Sequence, residues 1–260
     1  MSNLPELLVV SAAMGLSIFL SLPLVLSRRM TPALTTVLSA VAIGILLFLM
    51  GDVFSDVAPL LAASQPYFTL PDYDAIFAVG VGGAFLLLFA AEHRPRNRGS
   101  FSPRSIALVV ALAIGFQNLT EGLLFGSLWA AGTWAGYAFF GGLLGVVFVG
   151  FFIQNITEGF PIVAPLLGAG RPAVGTVAGF FVLGGIPTVL GALVGFYGNS
   201  ASLDVLFESV AIGAILYALL PMLRVAFRPA EPPMATFVKQ RLTYLGVLAG
   251  FLLGFLVNAF

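Results

Sequence analysis

No cysteine occurs in the 260 residues, and histidine occurs once, as His93. The first absence removes disulfides, thiolate metal sites and thiol nucleophiles together. The second leaves no imidazole inside an apolar segment, because His93 stands among arginines in a basic stretch. Charge is also scarce: 8% of residues are Asp, Glu, Lys or Arg, against 60% hydrophobic, and the mean hydropathy is +1.08. A soluble domain carries about a quarter of its residues as charges. So few charges over this length exclude a soluble fold and indicate a polytopic helical membrane protein. The basic leader of a cleavable signal is missing too. Met1-Ser2-Asn3-Leu4-Pro5-Glu6 precedes the first apolar run, and Arg28 and Arg29 follow it. A retained first helix with its N-terminus outside is expected.

The apolar runs number eight, at about 5–26, 33–50, 75–91, 105–128, 137–167, 173–197, 204–223 and 242–260. They predict an all-α fold of eight transmembrane helices in a single domain over 1–260. The fifth is long, and Pro161 and Pro165 are expected to kink or end it. All eleven Lys and Arg fall in alternate connections, from Arg28 and Arg29, through Arg94, Arg96, Arg98, Arg104 and Arg171, to Arg224, Arg228, Lys239 and Arg241. The intervening connections hold Asp52, Asp56, Asp72, Asp74, Asp204 and Glu208 and no base. The positive-inside rule then puts both termini outside a plasma membrane. His93–Ser102 and Phe227–Phe237 are expected as inner connectors, and Trp129–Gly136 as a tight link between the fourth and fifth helices. Trp129 and Trp134 suit interfacial anchors. The thirty glycines, many paired or in Gly-x-x-x-Gly spacing, suit close helix packing.

Within this apolar chain one polar sequence occurs twice. Gln117-Asn118-Leu119-Thr120-Glu121-Gly122 is repeated 37 residues later as Gln154-Asn155-Ile156-Thr157-Glu158-Gly159. Hydrocarbon gives a carboxylate and two carboxamides no water, so burying them twice is costly. Gln117 and Glu121 are i and i+4, and Asn118 and Glu121 are i and i+3, so the three share one helix face. Gln154, Asn155 and Glu158 repeat the pattern. Gln117 is 13 residues from Arg104 and Glu158 is 13 from Arg171, about 20 Å of helix in each case. On consecutive antiparallel helices the two faces therefore meet at one depth.

Six oxygen-bearing side chains at one level form a cluster of hard donors. A divalent cation would neutralise the two carboxylates and accept the amide oxygens. Interhelical hydrogen bonding alone is the plainer use of such residues, at about 1 kcal/mol per bond. Two matching sets at matched depth favour a site. Asp52 and Asp56, one turn apart, suit either a cation entrance or a solvated helix end.

The doubled motif in the fourth and fifth of eight helices resembles the ZIP family of divalent metal transporters, which shows His-Asn-x-Pro-Glu-Gly in helix four. Many bacterial members of that family have Gln-Asp or Gln-Asn followed by x-Pro-Glu-Gly in helix five. The resemblance implies that helices one to three and six to eight form an inverted repeat around the four–five pair. It places Asn118, Glu121, Gln154, Asn155 and Glu158 on metal-binding positions, with Gln117 where the family has histidine and Thr120 and Thr157 where it has proline. Thr188 stands near a position that is often glutamate in helix six. The expected function is secondary transport of zinc, iron or manganese, with the ion as substrate, no cofactor and no enzymatic reaction. Lipid bilayer and metal cations are the expected partners, nucleic acid is not, and a homodimer is an allowed assembly. The alternatives are a metal-binding membrane protein without transport and a membrane-embedded enzyme using the paired glutamates.

Overall fold

A computed structural model describes residues 4–26, 31–63, 72–92, 102–131, 143–167, 170, 172–198, 200–228 and 233–258. Within a bilayer a crossing segment has no water for its backbone groups and must close them internally, which a helix does. The first crossing, α1, comprises a helix (Leu4–Leu16), a 3-10 turn (Ser17–Ser21) and one more helical turn (Leu22–Val25). The next helices are α2 (Pro32–Ala63), α3 (Tyr73–Glu92), α4 (Pro103–Ala130) and α5 (Leu143–Leu167). α6 (Val174–Tyr197), α7 (Ala201–Ala226) and α8 (Pro233–Asn258) complete the chain. Eight helices among the described residues are long and apolar enough to cross a membrane. The chain is an all-α polytopic membrane protein.

Several helices begin where the sequence supplies a cap. Ser102 Oγ accepts from Ser105 N at 3.1 Å, with Pro103 in the first turn, and Asp72 Oδ1 accepts from Ala75 N at 3.0 Å. Two boundaries differ from expectation, those of α2 and α8. α2 does not stop near residue 50 but runs on to Ala63, carrying Asp52 and Asp56 on its wall. Val53 and Val57 are buried on that extension and hold it to the bundle. α8 starts at Pro233, nine residues before its apolar run, and Lys239 Nζ donates to the carbonyls of Val225 (3.2 Å) and Arg228 (2.9 Å) at the end of α7. α5 passes through Pro161 and Pro165 to Leu167. The 137–142 start of the fifth run, residues 93–101, 132–142 and 229–232, Trp134, Arg28, Arg29 and Arg171 lie outside the described residues.

The main packing partners of the helices have an internal symmetry. α4 packs on α6 and α5 on α1; α4 on α7 and α5 on α2; α2 on α8 and α7 on α3. α1 also packs on α6, α2 on α7 and α4 on α5. Exchanging α1 with α6, α2 with α7, α3 with α8 and α4 with α5 leaves this set unchanged. Each exchanged pair runs in opposite directions, so the packing is that of an inverted repeat.

The two ends differ in charge. Arg104, Arg224, Arg228, Lys239 and Arg241 lie toward one end, and Asp52, Asp56, Asp72, Asp74, Asp204 and Glu208 toward the other. The core differs in the same sense. Toward the basic end one continuous cluster joins α1, α2, α4, α5, α6 and α7, with Ile43, Leu46, Ile106, Ile114, Ile162 and Ala218 among its members. Toward the acidic end the core splits. Leu7, Met14, Phe125, Trp129 and Ala192 pack together on α1, α4 and α6, and Val53, Val57, Val205, Ala211 and Ile212 pack separately on α2 and α7. Trp129 is thus a core residue, 2% exposed, and not the interfacial anchor that its position suggested.

Candidate metal site between helices α4 and α5

The repeated motif brings its six polar side chains into one buried cluster. Asn118, Asn155 and Glu158 are fully enclosed, and Gln117, Gln154 and Glu121 nearly so. Asn118 Nδ2 lies at the centre, 2.7 Å from Asn155 Oδ1, 3.0 Å from Glu158 Oε2 and 3.0 Å from the carbonyl of Gly184 on α6. Three acceptors surround that nitrogen, which fixes the orientation of the amide. Asn155 is aimed by its own helix, its Nδ2 donating to the Phe151 carbonyl at 2.9 Å. On the other side of the cluster Glu121 Oε1 accepts from Gln154 Nε2 at 2.8 Å and from Gln117 Nε2 at 3.2 Å. Glu121 is therefore held by carboxamides of both motifs, and Glu158 by Asn118 of the other motif.

Four oxygens of the cluster accept no hydrogen bond from the protein: Gln117 Oε1, Asn118 Oδ1, Glu121 Oε2 and Glu158 Oε1. A buried acceptor without a donor is destabilising by about 1–3 kcal/mol. Four around one motif pair is more than a helix clasp requires. Their chemistry suits a hard or borderline cation, with two carboxylate and two amide oxygens and no nitrogen or sulfur. No group of three or more His, Cys, Asp or Glu placed to hold a metal occurs among the described residues. A cation here would depend on two carboxylates completed by amides.

Small residues let the neighbouring helices approach the glutamates. Gly122 lies against the backbone of Thr188 and Ala192, and Gly126 against Ala192. From the facing side Gly191 and Gly195 lie against Leu119 and Leu123. Two Gly-x-x-x-Gly pairs thus interlock α4 with α6, and a methyl group at any of the four would meet backbone. The partner motif has its own version, because Gly159 lies against Ser21 of α1. Ser17 Oγ of α1 also donates to the Phe152 carbonyl of α5 at 2.8 Å. The threonines at the proline positions bond back within their helices, Thr120 Oγ1 to the Gln117 carbonyl and Thr157 Oγ1 to the Gln154 carbonyl, both at 2.7 Å. Thr188 is fully buried, and its Oγ1 has no hydrogen-bond partner.

A cavity of about 360 Å³ opens onto the cluster from the acidic end. Gln117 and Glu121 line its floor, and Asp52 and Asp56 of α2 and Asp204 and Glu208 of α7 line its wall. Glu158 does not reach it. A second cavity of about 260 Å³ lies at the basic end, lined by Thr35, Ser39, Thr243 and Lys239 with apolar neighbours such as Ile43 and Ile106. Ile106, Ile114, Ile162 and Ala218 belong to the continuous core on the basic side of the motifs.

All six side chains expected at the site meet. The sequence reading missed the Gly184 carbonyl, which is backbone and leaves no side-chain signal. It also treated Asp204 and Glu208 as loop acids, although their i, i+4 spacing matches that of Asp52 and Asp56. No protein-family model matches this chain, and no curated protein matches it.

Proposed function

We propose that the protein is a secondary carrier of divalent metal cations, a divergent member of the ZIP class that its doubled motif resembles. The observation that carries this reading is the set of four unpartnered oxygens on Gln117, Asn118, Glu121 and Glu158, buried at the meeting of α4 and α5. Two negative charges in hydrocarbon are expensive alone, and a divalent cation matches them. The acidic-end cavity gives the ion a route to Glu121, and the apolar core beyond the motifs separates it from the basic end. A carrier requires that arrangement in one of its two states, with the site open to one side and sealed from the other. With bases inside, the acidic end faces outward.

A static clasp between helices would use the same residues as donors and acceptors. It gives no role to a carboxylate oxygen left without a donor on each glutamate, nor to a cavity that ends at one of them. Uptake into proteoliposomes across manganese, zinc, iron(II) and cobalt tests the reading. Saturable uptake of at least one ion is expected, and no uptake of any would remove it.

A further inference from the structure

The inverted repeat in the packing is not matched by the chemistry at the two ends. The exchange that maps α2 onto α7 carries the acidic end of one onto the basic end of the other. Yet both helices bear an i, i+4 carboxylate pair at the same end, Asp52 with Asp56 and Asp204 with Glu208. Among the described residues, those lining the cavity at the opposite end are hydroxyls, Lys239 and apolar side chains, with no carboxylate. Something is done at the acidic end that the basic end does not do.

The four carboxylates line a cavity whose floor holds two side chains more than nine-tenths buried, Gln117 at 2% and Glu121 at 7% exposure. Gln117 Oε1 and Glu121 Oε2 are both without a hydrogen-bond partner there. The four do not form a chelating group of three or more, since none occurs among the described residues. Resting on the carrier reading above, we propose that this cavity is an outer-sphere antechamber. It holds a divalent cation with its water shell intact and delivers it to Gln117 and Glu121 from the acidic end only.

The physical argument follows from charge and spacing. Four carboxylates around a recess with low-dielectric walls focus the field and raise the local cation concentration, which increases loading rates by about 10–1,000-fold. With no group of three or more acidic side chains placed to ligate it, the ion keeps its water shell and is attracted without being trapped. Inner-sphere ligation then begins only at the floor, where the amide and carboxylate oxygens replace water. The basic-end cavity, with its lysine, provides no matching attraction, so loading is faster from the acidic side although the helices pack symmetrically.

Cobalt(III) hexaammine is the diagnostic probe, because it does not shed its ammine ligands and can bind only in the outer sphere. Calorimetry on the purified full chain at low ionic strength should detect its binding, and Asp56→Asn/Glu208→Gln should weaken that binding at least tenfold. In proteoliposomes the same double variant should raise KM for manganese uptake at least tenfold at low salt, with kcat unchanged. The difference should close in about 1 M salt, where the Debye length falls to about 3 Å. Manganese loading from the basic side should be unaffected.

No hexaammine binding to the parent protein, undiminished binding to the variant, or a KM effect that persists at high salt would each overturn the antechamber. Asp52→Asn/Asp204→Asn, substituted one turn away on each helix, gives an independent variant should the first not fold. The two readings fail separately. Hexaammine binding lost in the variant, without metal uptake by the parent protein, sinks the carrier. Uptake by the parent protein without hexaammine binding sinks the antechamber and leaves the carrier standing.

Discussion

Glu121→Gln separates a metal site from a helix clasp, because it should cost much affinity and little stability. The substitution keeps an oxygen that can accept from Gln154 Nε2 at 2.8 Å and Gln117 Nε2 at 3.2 Å. Its new nitrogen replaces Oε2, which is buried and accepts nothing from the protein, so no existing hydrogen bond is lost. A neutral hydrogen-bonding group of the same shape replaces the carboxyl group and keeps both bonds, so stability should fall by no more than about 1 kcal/mol. The cation fares differently, because it loses one of the two carboxylates that balance its charge. Loss of a mere outer-shell partner lowers metal affinity about 10–100-fold. Loss of a direct ligand should therefore exceed about 100-fold, or about 2.8 kcal/mol. Manganese binding read by electron paramagnetic resonance, uptake in proteoliposomes and thermal unfolding in detergent, on the same preparation, give the three numbers. Affinity within threefold of the parent protein, with full uptake, would refute the site. A loss of stability as large as the loss of affinity would return the residue to the clasp.

The complementary change is Asn118→Ala, which orphans Asn155 Oδ1, Glu158 Oε2 and the Gly184 carbonyl. With interhelical bonds in membranes worth about 0.6–1.7 kcal/mol each and two protons to share, unfolding should become easier by about 1–3 kcal/mol. Gly126→Ala drives a methyl into the Ala192 backbone, whereas Gly82 has nothing within 4 Å. The first should destabilise by about 1–3 kcal/mol and Gly82→Ala should be neutral in the same melt. Gln117→His supplies the imidazole that suits zinc one turn from Glu121. Competition uptake should then shift toward zinc over manganese, and an unchanged ratio would mean that Gln117 does not touch the ion. Because the chain has no cysteine, single cysteines report topology cleanly. One at the exposed Tyr197 should react with an impermeant reagent from outside, and one at Arg228 only from inside.

Where polarity and hydrocarbon conflict, the sequence could be read directly. Gln117, Asn118 and Glu121 stand out in an apolar run whether or not a fold is known, and their spacing from Arg104 sets a depth. The matching distance from Arg171 to Glu158 then brings the second set to the same level, and the hydrogen bonds across α4 and α5 agree. The eight helices were legible for the same reason. The extension of α2 was not, because Asp52 and Asp56 lower the hydropathy where a loop would also lower it, while Val53 and Val57 are buried by neighbours that no local pattern names. The glycine seam of α4 and α6 was hidden likewise, since Gly122 and Gly126 show their use only once Thr188 and Ala192 are known to face them. Trp129 misled because tryptophan near a helix end fits both an interface and a core, and only contact with Leu7 and Phe125 decides between them.

The inverted packing bears on how the carrier reading would operate. The same exchange of helices relates Gly122 against α6 to Gly159 against α1, so each glutamate sits beside an equivalent close approach. In the arrangement described, Glu121 lines a cavity toward the acidic end and Glu158 is sealed beneath it. Applying the exchange to that arrangement gives a second, with Glu158 lining a cavity toward the basic end and Glu121 sealed. On the carrier reading these would be the two states, and the side chains at each end would set their balance. Four carboxyl groups face one recess at the acidic end, where the core is split between two clusters. At the basic end Ile43, Leu46, Ile106 and Ile162 close the bundle in one continuous cluster. On the carrier reading, a divalent cation arriving at Glu121 would offset repulsion among whichever of these groups are ionised and would favour the closing state by that amount. A ligand shifts an equilibrium only by its differential affinity for the two states, and on the carrier reading Asp52, Asp56, Asp204 and Glu208 would supply that difference.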